Sequence, residues 1–371
     1  MKSTDKIPLV DLNIQYLGIK EEIDNAIIDC INEGIFIKGH RVTEFENSFS
    51  KFIGTAFCIG CGNGTDALEL ILKSLNIGIG DEVIVPALTW IATAEAVNNV
   101  GAEPVFVDVD NSNYTIDVGK IEEKITKKTK AIIAVHLYGN PADMSEIMSI
   151  ADAYELFVVE DCAQAHGAEY FGRKIGTFGI ASAFSFFPSK NLGAFGDGGA
   201  IVTNNVDIAN KARMLSNHGQ LQFRHTHSVI GRNSRLDTIQ AAVLMVKLPY
   251  LDRWNNARRV AANLYLSCLN QNSRIILPQI NENKDHVYHL FVIRSKQREK
   301  LIEQLTYANI ATGIHYPRPL PFLDAYRYKN HKVKDFPVAV ELVNEILSIP
   351  IFPEIINSQI TRICNEISKI H

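Results

Sequence analysis

Between residues 55 and 217 short, almost continuous apolar runs alternate with segments of helical periodicity, and few architectures accept that rhythm. Residues 56–59, 82–85, 104–107, 131–135 and 156–159 read as strands. Residues 65–75, 91–100 and 144–154 read as helices between them. The Val- and Ile-rich strands show no polar alternation, so both of their faces must be covered. That is the pattern of a mostly parallel sheet flanked by helices, and the expected class is α/β.

After Asp161 the rhythm loosens. Residues 181–186 and 200–203 are further strands, separated by the Gly-rich stretch 193–199. A long helix is expected over 235–246. Pro249 and a polar helix over 251–269 mark a boundary. Beyond it come a strand at 288–294 and helices near 297–308 and 338–347. At roughly 150 residues per domain, the 371 residues suggest two domains. Residues 1–248 form a large α/β domain with an N-terminal arm, and 249–371 a smaller α+β domain.

Lys and Arg number 37 against 41 Asp and Glu, so there is no basic surplus for nucleic-acid binding. Apolar runs are interrupted well before the ~20 residues of a membrane helix. The opening residues 1–8 lack the apolar centre of a secretory leader. The cysteines (Cys30, Cys58, Cys61, Cys162, Cys268 and Cys364) are sparse and suit a reducing cytoplasm.

In open parallel sheets ligands sit beyond the carboxyl ends of the strands. Residues 62–65, 86–90, His136, 161–164 and 185–190 should therefore converge on one crevice. Gly62-Asn63-Gly64-Thr65-Asp66-Ala67 fits G-x-G-x-x-A, but the second strand does not end in the acid that a dinucleotide fold needs for its ribose. A plain phosphate site at the helix start survives, with Thr65 adding a hydroxyl; alone, the motif is equally a Gly turn and helix cap. Asp161 ends a hydrophobic strand, where a carboxylate needs a cationic partner. Lys190 lies in Phe184-Ser185-Phe186-Phe187-Pro188-Ser189-Lys190-Asn191-Leu192-Gly193, where desolvation would make it a usable amine nucleophile. Phosphate cup, acid, aromatic Trp90 and lysine together suggest pyridoxal 5'-phosphate. The acid would keep the pyridine nitrogen protonated, and Trp90 would stack on the ring.

Val159-Glu160-Asp161-Cys162-Ala163-Gln164-Ala165-His166-Gly167, followed by the lysine segment, resembles the DegT/DnrJ/StrS sugar aminotransferases over nearly the whole chain. These are fold-type-I pyridoxal phosphate enzymes, aspartate aminotransferase-like, acting on nucleotide-linked keto sugars. The resemblance implies that Lys190 is the catalytic Schiff-base lysine, Asp161 the partner of the pyridine nitrogen, and Gln164 a neighbour of the ring's phenolic oxygen. It makes Gly64, Thr65 and Ser185 phosphate ligands. Residues 231–237 match a segment that reaches the neighbouring subunit's site, with Asn233 on the cofactor phosphate and Arg235 on the sugar-nucleotide phosphates. His315 and Tyr316 match a loop near the substrate pyrophosphate. The motifs at 62–68 and 136–144 are most similar to members that aminate C3 of a 3-keto sugar.

The implied activity moves an amino group from L-glutamate to the C3 keto group of a dTDP-3-keto-6-deoxyhexose type of substrate, in a homodimer with shared sites. The product would serve surface polysaccharide or glycoside biosynthesis. The alternatives are a UDP-linked 3-keto-N-acetylhexosamine, a C4-keto sugar, or a noncatalytic regulator on the same scaffold. No metal is implied. Cys58 and Cys61 lack a second ligand pair and, three positions apart on a strand, face opposite ways. His218, His225 and His227 fall in a polar loop without carboxylates, and the charge run 124–130 reads as a solvated helix end.

Overall fold

A computed structural model describes residues 6–220, 225–279 and 281–369; Met1–Asp5, part of the stretch read for a leader, lie outside them. The chain opens with helices α1 (Leu12–Leu17), α2 (Lys20–Glu33) and α3 (His40–Ile53). Seven strands then build the central sheet: β1 (Phe57–Cys61), β2 (Glu82–Pro86), β3 (Glu103–Val107), β4 (Thr129–Val135), β5 (Phe157–Asp161), β6 (Ala181–Ser185) and β7 (Gly199–Thr203). Their order is β1-β7-β6-β5-β4-β2-β3. All pairings are parallel except those of β7, which runs antiparallel to both β1 and β6.

Helices cover both faces, as the unbroken apolar runs require. On one face α4 (Gly64–Ser74), α5 (Ala92–Asn99) and α7 (Val206–Leu215) pack on Ile59, Val85, Ile133, Val159 and Ile201. On the other, α3, α6 (Met144–Ala153) and α8 (Thr238–Lys247) pack on Ile84, Ile132, Val158, Phe184 and Val202. The two-residue period of the strand puts Cys61 in the first core and Cys58 in the second, on opposite faces as expected.

The rest of the chain builds α9 (Leu251–Leu269), β8 (Phe291–Arg294), α10 (Arg298–Tyr307), α11 (Pro337–Glu345), β9 (Ile346–Ile349) and α12 (Asn357–Ser368). α9, α10 and α12 enclose the β8–β9 ladder in a third apolar cluster, which also takes in Ile7 from the N-terminal arm. α11 turns the other way and sends Ala339 and Leu342 into the first core.

Four boundaries differ from the sequence reading. The helix expected over 338–347 stops at Glu345, because Ile346 and Leu347 pair with Arg294 and Ile293 across β8. The helix expected from Arg235 begins at Thr238, since Leu236 is buried against Gly60 and Gly198 and the N-cap Asp237 is extended. The strand expected from Tyr288 begins at Phe291; before it, Val287 and Leu290 donate instead to the Gly139 and Tyr138 carbonyls. The charge run 124–130 is a solvated helix end only at Lys124, where a 3-10 turn closes; exposed Lys127 and Lys128 follow, and β4 starts at Thr129. No helix among the described residues is long and apolar enough to cross a membrane.

Candidate active site

The carboxyl ends of the parallel strands form one rim, and a cavity of about 690 Å³ opens on it. Because β7 runs antiparallel, its start lies on the same rim, where Gly199 pairs with Cys61 on one side and Ser185 on the other. The first turn of α4 sits here. Asn63 caps it by accepting from the Asp66 N–H at 2.8 Å. The earlier N–H groups of a helix have no intrahelical acceptor, and Gly64 and Thr65 line the cavity with the Ser185 hydroxyl. A Cβ at Gly64 would stand 2.8 Å from Ser185 Cβ, so only glycine lets helix and strand close this cup.

Asp161 ends β5 on the floor. Its Oδ2 accepts from Thr93 Oγ1 at 2.9 Å and its Oδ1 from the Ala163 N–H at 3.2 Å. No cation forms an ion pair with it among the described residues, and burial pushes its carboxyl above the usual range despite those donors. Lys190 faces the same space. Desolvation lowers its amine to about 8, against the opposing pull of Asp161. A phosphate-sized cup, an acid lacking a cation and an amine held near neutrality are the three partners that pyridoxal phosphate requires.

The opposite wall is tied together by hydrogen bonds. Gln164 Oε1 accepts from the Tyr138 N–H at 2.6 Å, and its Nε2 donates to Tyr316 Oη at 3.0 Å. Tyr138 donates its hydroxyl to the His315 carbonyl, and His315 Nδ1 meets Ser348 Oγ at 2.8 Å. The Trp90 and Tyr316 rings lie 5.3 Å apart, with Trp90 56% exposed to the cavity. Burial beside Lys190 holds His315 down at about 4.

Gly64, Thr65, Trp90, Asp161, Gln164, Ser185, Lys190, His315 and Tyr316 thus share one cavity. His136 does not join them. It turns beneath the rim, with Nε2 3.2 Å from Glu160 and Nδ1 accepting from the Ala142 N–H. Asn233 and Arg235 also lie outside this chain's own cavity. In the extended segment 231–237, Arg232 pairs with Asp66 and Glu69, and Ser234 donates to Asp66. The alternate residues face elsewhere: Asn233 is exposed, and Arg235 donates to Asn217 while its Nε has no partner. Sequence reasoning missed Arg258 and His289, which line the cavity from α9 and the bend before β8. Neither falls in a motif that follows a strand of the large sheet, so no local signal marked them.

The model of the DegT/DnrJ/EryC1/StrS aminotransferase family matches residues 18–368. The chain belongs to that family. It is 44% identical to the UDP-N-acetyl-3-dehydro-alpha-D-glucosamine 3-aminotransferase of Acidithiobacillus ferrooxidans, over 100% of this chain and 99% of that one. It is also 44% identical to the dTDP-3-amino-3,6-dideoxy-alpha-D-galactopyranose transaminase of Aneurinibacillus thermoaerophilus, over 98% and 99%. The crystal structure of DesV from S. venezuelae, in complex with a ketimine intermediate, superposes with a TM-score of 0.97 at 40% identity, covering 99% of this chain and 100% of that one. Other solved structures of this fold hold the cofactor in its pyridoxal or pyridoxamine form. The chain is a pyridoxal-phosphate-dependent transaminase of the mostly parallel α/β class.

Proposed function

We propose that this transaminase moves an amino group from L-glutamate to the C3 keto group of a nucleotide-linked sugar of the dTDP-3-keto-6-deoxyhexose type. The resulting 3-amino sugar would enter surface polysaccharide or glycoside synthesis. The observation that carries the reading is the pairing of the Lys190 amine, held near neutrality, with the uncompensated Asp161 in one cavity. The two relatives named for 3-amino or 3-keto sugars support the position of amination. The UDP-linked 3-keto-N-acetylhexosamine is the second reading, favoured by the first of those relatives.

In this reading the Gly64 and Thr65 N–H groups and the Thr65 and Ser185 hydroxyls hold the cofactor phosphate. Asp161 holds the proton on the ring nitrogen, Trp90 covers one ring face, and Gln164 stands by the phenolic oxygen. When bound, the cofactor supplies an aldehyde that carries the amino group and a ring that withdraws electrons from the reacting carbon. Lys190 anchors it covalently, is displaced by the donor, and then acts as base and acid. Its Nζ takes the proton from the donor's amino-bearing carbon and later returns a proton to C3 of the sugar. His315 and Tyr316 bind the sugar-nucleotide pyrophosphate.

Asn233 and Arg235 complete the site of a second subunit, on the cofactor phosphate and the sugar-nucleotide phosphates. Their position outside their own cavity supports a homodimer with shared sites. So does an exposed apolar strip, Ile31, Ile35, Phe36 and Ile37, whose last member bridges to Asp237. The third apolar cluster supports a division into 1–248 and 249–371, and the free cysteines suit a cytoplasmic setting.

The experiment is an absorbance record of the holoenzyme. L-glutamate should abolish the visible cofactor band, and a 3-keto sugar nucleotide should restore it with formation of a 3-amino sugar. A band unmoved by L-glutamate and by every amino sugar would overturn the reading.

A further inference from the structure

His289 stands in the bend before β8, 8% exposed, on the cavity wall that Lys190 shares. Its protonation is set by its neighbours. Asn191, next to Lys190 in the chain, donates both amide hydrogens from Nδ2, to Asn255 Oδ1 at 2.8 Å and to the Val287 carbonyl at 3.0 Å. Asn255 donates its own amide to the His166 carbonyl at 2.8 Å, so its oxygen must face Asn191. Asn191 Oδ1 is therefore an acceptor, and His289 Nδ1, 3.2 Å away, must carry the hydrogen. Burial, Lys190 and Arg258 keep the imidazole neutral, well below its ordinary titration. Nε2 then bears a lone pair and has no protein partner among the described residues.

L-glutamate has no use for such an acceptor. Its two carboxylates only accept, and its amino group is committed at the reacting carbon. A keto sugar does: hydroxyls beside its carbonyl donate. We propose that His289 Nε2 accepts a hydrogen bond from a hydroxyl on a sugar carbon next to the carbonyl, and so helps decide which keto sugars are aminated. The inference rests on the keto-sugar reading above and concerns one half-reaction only.

The test uses holoenzyme and single-turnover absorbance, with L-glutamate and with dTDP- and UDP-linked 3-amino sugars run in the amino-donating direction. His289→Phe should slow conversion by the amino sugar about tenfold more than it slows the L-glutamate step, the scale of one lost hydrogen bond in a dry site, while any effect through Asn191 falls on both steps alike. His289→Gln, whose side-chain oxygen can also accept, should recover most of the loss. With either the 2-deoxy or the 4-deoxy amino sugar, wild type and His289→Phe should react alike. Equal slowing with L-glutamate, an unchanged sugar rate, or a gap that survives both deoxy analogues would overturn the proposal. Wild-type enzyme inert toward every amino sugar, yet converted by L-glutamate, would bring down the substrate reading and this proposal with it.

Discussion

Glu160 and Asp161 are consecutive on β5 and have opposite surroundings. Glu160 accepts from the N–H groups of Gly176, Phe178 and Gly179 at 2.8 Å each, from the Ser182 hydroxyl at 3.1 Å, and meets His136. Asp161, on the other face, has Thr93, one N–H and the cavity. Burial pushes both carboxyls up. His136 and the backbone donors more than reverse this at Glu160, whereas nothing does at Asp161.

Substituting each acid separately should divide stability from chemistry. Glu160→Gln places an amide against buried N–H groups and should cost about 2–3 kcal/mol in denaturant unfolding. Because the folded state lowers the Glu160 pKa, its contribution is present above the ordinary glutamate range and fades as pH falls through it. Asp161 has a raised pKa, so its ionised form weakens the cofactor-free fold as pH rises through that value. Asp161→Asn should therefore leave the cofactor-free protein at pH 7 as stable as wild type or more so, while transamination is lost. A large drop in its unfolding midpoint would contradict this.

The lowered Lys190 amine sets a pH dependence. It is protonated below about 8 and nucleophilic above. Capture of pyridoxal phosphate by the cofactor-free protein, followed by stopped-flow absorbance, should accelerate through a midpoint near 8. Asp161→Asn removes the charge that favours the protonated amine, so the midpoint should move lower. An unchanged midpoint would separate the two residues. Lys190→Ala should show neither capture nor turnover.

Gly64→Ala tests the cup. The new methyl would stand 2.8 Å from Ser185 Cβ, neither of which is the flexible end of a side chain. Helix and strand must part, and cofactor affinity should fall about tenfold or more, a shift of roughly 1–3 kcal/mol typical of overpacking. Equilibrium titration of the cofactor-free protein checks it.

Shared sites can be tested by mixing two inactive chains. If Arg235 acts in the partner's cavity, a Lys190→Ala and Arg235→Ala heterodimer carries one intact site. Refolding the two together should restore about a quarter of wild-type turnover, since half of the dimers formed at random are mixed. No recovery in confirmed heterodimers would assign Arg235 to its own subunit.

Much of the molecule was legible where local and global signals agreed. The strands of the large sheet are buried on both faces, and several end where cavity residues begin, so Asp161 and Lys190 could be placed from the sequence. His136 fits the same pattern and fails, because its strand-end position does not say whether Glu160 will claim it. Helix α3 escaped notice although Phe45, Phe49 and Ile53 repeat at helical spacing, the ordinary sign of a packed helix face. Leu347 also has helical spacing, yet it belongs to a ladder whose partner, Ile293, lies far away in sequence. His289 depends on contacts to Asn191, which no spacing within one segment encodes.

The reversal at β7 has a consequence for how this scaffold can diversify. The lysine loop leaves β6 and re-enters the sheet at β7 on the same edge, so both of its ends are moored to the cofactor rim. On the way it is held at Gly193 by Lys247 and at Phe195 by Gln240. His289, His315 and Tyr316 come instead from the chain beyond α9, outside that loop. His289 is tied to that loop through Asn191, whereas His315 and Tyr316 bond to Ser348, Tyr138 and Gln164, so substitutions at those two can remodel what is brought to the amine without moving it. New substrates are therefore open to descendants of this chain through changes in the distal wall alone, with the reactive centre inherited intact.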